Sequence, residues 1–298
     1  MISKRQLKSK IQSTSNIKQM TGAMELVAAT KMRKAQERAL RSRPYASSAL
    51  SLLSRIVALA QLQEQKGSLW EPRTEGKTCL VVVTSDKGLS GSFNNAVLRK
   101  SFQLYEEYVQ QKEAVDIVAV GKKARDFFLN RKATVATSFL RFSDIITLDD
   151  TAPLANWILE SYGKKTYKRV VFCSTHFVSS LVNRAETHEV LPLSSQELLR
   201  IAGNGVPEGS QQDSLLEPSS KEIFETLSKE LVQALVLFLL FESNAAEHSS
   251  RMLAMKNANE NAEDILESLT LQLNKARQSA ITQELAEVTG AKEALTQE

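Results

Sequence analysis

Glycines and a lysine directly after an apolar run are the raw material of a phosphate-binding loop, and residues 84–92 (TSDKGLSGS) follow the run CLVVV at 79–83. The spacing does not fit. A P-loop places Gly-Lys-Ser/Thr after four spacer residues so that the lysine meets the β and γ phosphates. Here Lys87 precedes Gly88, and Gly88-x-x-Gly91 lacks the leading Gly-x-Gly of the dinucleotide fingerprint. The segment is expected to be a tight strand-to-helix turn whose glycines take positive φ.

Other reactive residue types are scattered. His176, His188 and His248 are separated in sequence, with no second ligand at metal spacing. His248, beside Glu247, is expected to be solvated. Cys79 and Cys173 each sit in an apolar, β-branched run and read as buried thiols, without a disulfide framework or a zinc pattern. No nucleophile-and-base set can be argued from spacing alone. Residues 1–43 carry eleven Lys and Arg against two Glu, a net +9. Such a surface could neutralise nucleic-acid phosphates. No aromatic precedes Tyr45, however, and the apolar residues among these charges call for a protein partner. A nucleotide-binding enzyme and a DNA-binding scaffold stay open as rivals at this point.

Elements must hold these residues in place, and the prolines divide them. All six lie between Pro44 and Pro218, so residues 1–43 and 219–298 are the blocks in which long helices are least opposed. Residues 219–298 carry seven basic and thirteen acidic residues, a net −6 that complements the N-terminal block. Ser219 and Glu222 form a capping-box pattern at the start of this block. Met252, Met255, Asn259, Ala262, Leu266, Leu269, Leu273, Ala276, Ala280 and Gln283 then recur at alternating steps of 3 and 4. That is a sustained heptad seam, which implies left-handed coiling. Leu7, Ile11, Ile17, Met20, Met24 and Val27 supply a matching N-terminal stripe. The two ends are expected to pair as an antiparallel coiled coil.

Between them, strand-like runs at 79–84, 116–120, 133–139 and 169–174 alternate with helical runs at 95–112, 122–131 and 152–162. An extended segment follows at 177–192. This order predicts an α/β fold with a mostly parallel, Rossmann-like sheet. The expected organisation is an N-terminal coiled-coil helix over 1–60, an α/β domain over 75–200, a loop over 201–218 and a C-terminal coiled-coil helix over 219–298. The longest apolar run, residues 231–241, is too short for a bilayer span of ~20 residues.

Four segments resemble the gamma subunits of F-type ATP synthases. They are 16–36 (NIKQMTGAMELVAATKMRKAQ), 85–94 (SDKGLSGSFN), 177–193 (FVSSLVNRAETHEVLPL) and, most specifically, the long C-terminal run within 242–284. The resemblance implies a rotor shaft inside a ring of three alpha and three beta subunits, one copy per complex. Its α/β foot would stand with the epsilon subunit on the ring of c subunits, and proton-driven rotation would drive ATP release on beta. It implies no catalytic residue, cofactor or metal of the chain's own and no nucleic acid. Contact with the membrane would come only through the c ring, at the cytoplasmic face of a bacterial inner membrane. Family contacts with the alpha/beta ring map onto Met24, Arg251, Gln278 and Thr282, with Lys31, Arg33 and Lys34 near an acidic loop of beta. Glu217, in Leu216-Glu217-Pro218, matches the region near the c ring. The sequence departs from the family at Gly22, at Lys18-Gln19, and at 287–291, where one residue is missing before Gly290-Ala291, so contacts beyond Glu287 are not carried over.

Overall fold

A computed structural model describes residues 3–60, 69–142, 146–194, 197 and 220–296, with side chains left undescribed at 39–60, 220–224 and 290–296. Helix α1 spans Lys4–Ala60. Then come β1 (Lys77–Val83), α2 (Phe93–Gln110), β2 (Val115–Val120), α3 (Lys122–Asn130), β3 (Val135–Phe139), α4 (Leu148–Gly163), β4 (Tyr167–Phe177) and β5 (Asn183–Leu191). Helix α5 closes the order, over Ser220–Thr296. The chain forms two compact units, one of Met1–Val27 with Met252–Glu298 and one of Ala28–Arg251.

The first unit is the start of α1 against the end of α5. Lys18 Nζ lies 2.9 Å from Glu263, and a Cβ on Gly22 would lie 3.7 Å from Asn259 Oδ1. Positions rise on one helix as they fall on the other, so the pair is antiparallel. Between 259 and 280 the less exposed residues of α5 are the seam positions 259, 262, 266, 269, 273, 276 and 280, with Ala262 fully buried. The heptad reading therefore holds on this helix as far as Ala280, while Gln283 is exposed.

On α1 it holds only at its start. Leu7 is buried and Ile11 half-buried, but Ile17, Met20, Met24 and Val27 are 51%, 60%, 40% and 53% exposed. Lys18, Thr21, Gly22 and Glu25 form the less exposed side instead. Small and polar residues let the two backbones approach, and the large apolar ones turn outward. Gly22, a departure from the family pattern, sits on this close side, yet the 3.7 Å gap would admit an alanine in ordinary contact.

The second unit is a five-stranded sheet in the order β3-β2-β1-β4-β5, with β5 antiparallel to β4 and the other pairs parallel. Alternate residues of β1 serve opposite faces. Cys79, Val81 and Val83 join one core with Leu154, Ile158, Tyr162 and the α5 residues Leu231, Leu235 and Leu240. Leu80 and Val82 join the other with Val97, Leu98, Ala124 and Phe128 of α2 and α3. Both faces are covered, as a central parallel sheet requires.

One expectation needs correction, and two gain detail. Helix α1 runs on through Pro44 to Ala60, in keeping with the helix expected over 1–60, so the proline-free block 1–43 does not limit it. A proline removes one hydrogen bond at a cost of ~3 kcal/mol, which a helix of 57 residues tolerates. Helix α4 begins at Leu148 rather than 152, because Thr147 and Asp150 form a reciprocal capping box, and Pro153 lies inside it. The extended segment expected over 177–192 is present, as the end of β4 and the second arm, β5, of a hairpin. Ser219 and the loop 201–218, with Glu217, lie outside the described residues. No helix among the described residues is long and apolar enough to cross a membrane.

Candidate functional site

The turn after β1 is a brace. The Asp86 carboxylate accepts from Lys122 N at 2.9 Å and from Arg141 N at 2.7 Å, so its two oxygens tie the segments that follow β2 and β3. Thr84 Oγ1 donates to Val120 O at 3.0 Å and accepts from Ala124 N at 2.9 Å. Asn94 Oδ1 accepts from Ser85 N at 3.0 Å, while its amide donates to Ser85 Oγ and Ser90 Oγ at 2.8 and 3.0 Å. The backbone N–H groups of Thr84 and Ser85 are engaged in holding the turn, with Val120 O and Asn94 Oδ1 as their acceptors. Gly91 has φ +55°, as expected of a turn glycine, but Gly88 does not, and Leu89 takes φ +62° in its place.

Arg251 joins this brace from α5. Its guanidinium donates to Glu247 Oε1 at 2.6 Å and lies 3.5 Å from Gly88 O and 3.4 Å from His248 Nδ1. His248 is 2% exposed, against the expectation of a solvated position. Around 231–249, α5 is buried on nearly all sides, so a polar residue there is enclosed whatever face it occupies. His176 pairs through Nδ1 with the buried Glu242 carboxylate. His188 Nδ1 lies 3.0 Å from Glu197. Sequence spacing carried no signal for these pairs, since their partners come from distant elements or from the short segment after β5. No group of three metal-binding side chains occurs among the described residues.

The other sequence-predicted positions lie on helix surfaces. Gln278 and Thr282 are exposed one turn apart on α5, and Thr282 Oγ1 donates to Gln278 O at 3.0 Å. With Lys275, Ser279, Gln283 and Ala286 they border a shallow, open groove. Met24 is exposed on α1. Arg33 and Lys34 are exposed and Lys31 half-buried. The fold thus gathers Gln278 with Thr282, groups the three basic residues within a single turn of α1, and sets Arg251 apart as an internal tie.

Reactivity is low elsewhere. Burial pushes the Cys173 thiol up to about 12 against the pull of Lys100, and it pushes Cys79 up further with help from Asp116. Neither is a nucleophile at neutral pH. At the amino ends of the strands, Glu113 receives Lys168 at 3.0 Å, Arg169 at 2.5 Å and Thr78 Oγ1 at 3.0 Å. Burial raises its pKa, but these hydrogen bonds outweigh burial and the carboxyl ends below its ordinary value. A depressed carboxylate contributes stability above its unfolded pKa and loses it as pH falls through the folded value. Glu113→Gln should therefore lower stability by about 1–3 kcal/mol at pH 7. The deficit should shrink below about pH 4.3, measured by urea unfolding at stepped pH.

The ATP synthase family model matches residues 3–295. The ATP synthase gamma chain of Ligilactobacillus salivarius is 34% identical over 97% of this chain and 98% of its own. That of Chloroflexus aurantiacus is 34% identical over 99% and 100%. The fold is also that of a chain in the central stalk and c-ring of the Tetrahymena thermophila mitochondrial ATP synthase. That match has a TM-score of 0.62 at 24% identity and covers 80% of this chain and 99% of the other.

Proposed function

Because the chain belongs to the ATP synthase gamma-chain family, we propose that it works as the central rotor shaft of an F-type synthase, linking c-ring rotation to the nucleotide sites of the surrounding beta subunits. The observation that carries this reading is the match from residue 3 to residue 295, which includes both halves of the antiparallel helix pair as well as the sheet. The partners are three alpha and three beta subunits, epsilon and the c ring, at the cytoplasmic face of a bacterial inner membrane. The chain supplies no catalytic group; its part is mechanical.

The surface of the helix pair suits that part. A shaft must slide past equivalent partners without binding one of them so tightly that it stalls. Exposed polar contacts of the Gln278 and Thr282 kind are each worth little. The outward stripe of Ile17, Met20, Met24 and Val27 offers an apolar face that the pair itself does not cover. Met24, Lys31, Arg33, Lys34, Gln278 and Thr282 are the proposed ring contacts, and Glu217 the proposed contact at the foot.

Arg251 and Gln278 are proposed to transmit torque by different routes. Gln278 meets the ring directly, so Gln278→Ala should leave stability within about 0.5 kcal/mol and lower coupled ATP synthesis. Arg251 holds α5 to the Gly88 turn, so Arg251→Ala should weaken the fold as well. The double variant should lower synthesis in reconstituted vesicles more than it lowers assembly. Unchanged synthesis would sink the assignment of these two residues. Reconstitution with cognate alpha and beta subunits tests the shaft itself. Co-elution as three, three and one, with turnover that depends on this chain, is the expected result.

A further inference from the structure

A cavity in the second unit keeps polar groups that the fold does not use. It lies outside the carboxyl ends of β1 and β2, between residues 83–87 and 120–121 on one side and α5 on the other. Strand order reverses at β1, and α/β sheets take small ligands in crevices beside such reversals. Its volume is about 80 Å³. One water needs ~10–15 Å³ on the same measure, so there is room for several waters or a ligand of a few heavy atoms.

Among the described residues, the carboxylates at its wall are already matched. Asp86 holds two backbone N–H groups, and Glu247 holds Arg251. No described carboxylate at the wall is left to select a cation. Two neutral groups are left over. Ser243 is 2% exposed, and its hydroxyl has no hydrogen-bond partner. The Asn244 carboxamide next to it, on a residue 9% exposed, shows no hydrogen bond among the described residues, but it is not sealed from solvent as the Ser243 hydroxyl is. Each can donate and accept, and an unmet buried polar group favours any occupant that satisfies it. Val83, Val120 and Leu240 supply an apolar wall.

The geometry points to a binding site for a small uncharged ligand that carries a donor and an acceptor side by side on an apolar frame, as a lactam or primary amide does. Seated there, it would bridge α5 to the turns after β1 and β2, the first of which Arg251 already ties to α5.

The test is a titration of the full-length chain, carrying ¹³C-methyl-labelled Val and Leu, with 2-pyrrolidinone. Cyclopentanone, an acceptor only, and pyrrolidinium, a cation, serve as comparisons. The lactam should give saturable shifts at Val83, Val120 and Leu240 with a Kd on the order of 1 mM. It should bind about fivefold or more tightly than either comparison, and Ser243→Ala or Asn244→Leu should weaken it by a similar factor. Absence of saturable shifts, equal affinity for the three compounds, or unchanged affinity in both variants would overturn the site and leave the cavity to water.

Discussion

Gly121→Ala is expected to unfold much of the second unit. Gly121 has φ +89°, and a Cβ there would stand 2.2 Å from Thr84 O and 2.8 Å from Thr84 C. Both obstacles are backbone, so neither can rotate aside. Moving them would break the brace, because Thr84 N donates to Val120 O and Lys122 N binds Asp86. A backbone clash at a positive φ belongs with the rare substitutions that cost more than about 4 kcal/mol. Equilibrium urea unfolding should show that loss or no cooperative transition at all. Gly88→Ala is the paired control in the same turn system. A Cβ at Gly88 meets no atom within 4 Å and its φ is not positive, so that variant should match the parent or gain about 0.4–1 kcal/mol.

Leu235→Ala with Leu240→Ala is expected to detach α5 from the sheet. Both side chains are almost wholly buried in the core they share with Val81, Leu154, Ile158 and Phe172. Each truncation should cost about 2–5 kcal/mol, against a total stability of ~5–15 kcal/mol for a typical protein. The two Leu→Met exchanges should cost less than about 1.5 kcal/mol each. The functional readout separates anchorage from folding. At a temperature where the double variant still assembles, ATP hydrolysis should persist while coupled synthesis falls further, because a shaft helix loose in its foot turns without transmitting force. Equal loss of both would mean that α5 is not anchored through these residues.

Several elements were legible from the residues and others were not, for physical reasons. Buried strands such as 79–83 and 116–120 announce themselves because both faces of a parallel sheet are covered. The seam of α5 was legible because its partner is another part of the same chain. The stripe of α1 was not. Hydrophobic periodicity records burial against any partner, and Ile17, Met20, Met24 and Val27 turn away from the intramolecular contact. Small and polar residues fill that contact, which no hydrophobicity pattern marks. His248 was misread for the opposite reason, since a polar residue in a stretch enclosed on all sides carries no local sign of burial. Of the proposed ring-contact residues, Gln278, Thr282, Met24, Arg33 and Lys34 stand at the surface, whereas the ties of Arg251 to Glu247 and Gly88 join residues that no motif links.

The antiparallel pairing has a consequence for the birth of the protein. Lys18 meets Glu263, so α1 leaves the ribosome well before the part of α5 that pairs with it. At ~5–20 residues per second, it waits on the order of 10–50 s before that partner is made. The sheet unit lies between them and can close in the meantime. Throughout this interval the nascent helix shows water both its outward stripe of Ile17, Met20, Met24 and Val27 and its unpaired inner side. The basic residues interspersed along residues 4–43 keep such a segment in solution until translation catches up with it.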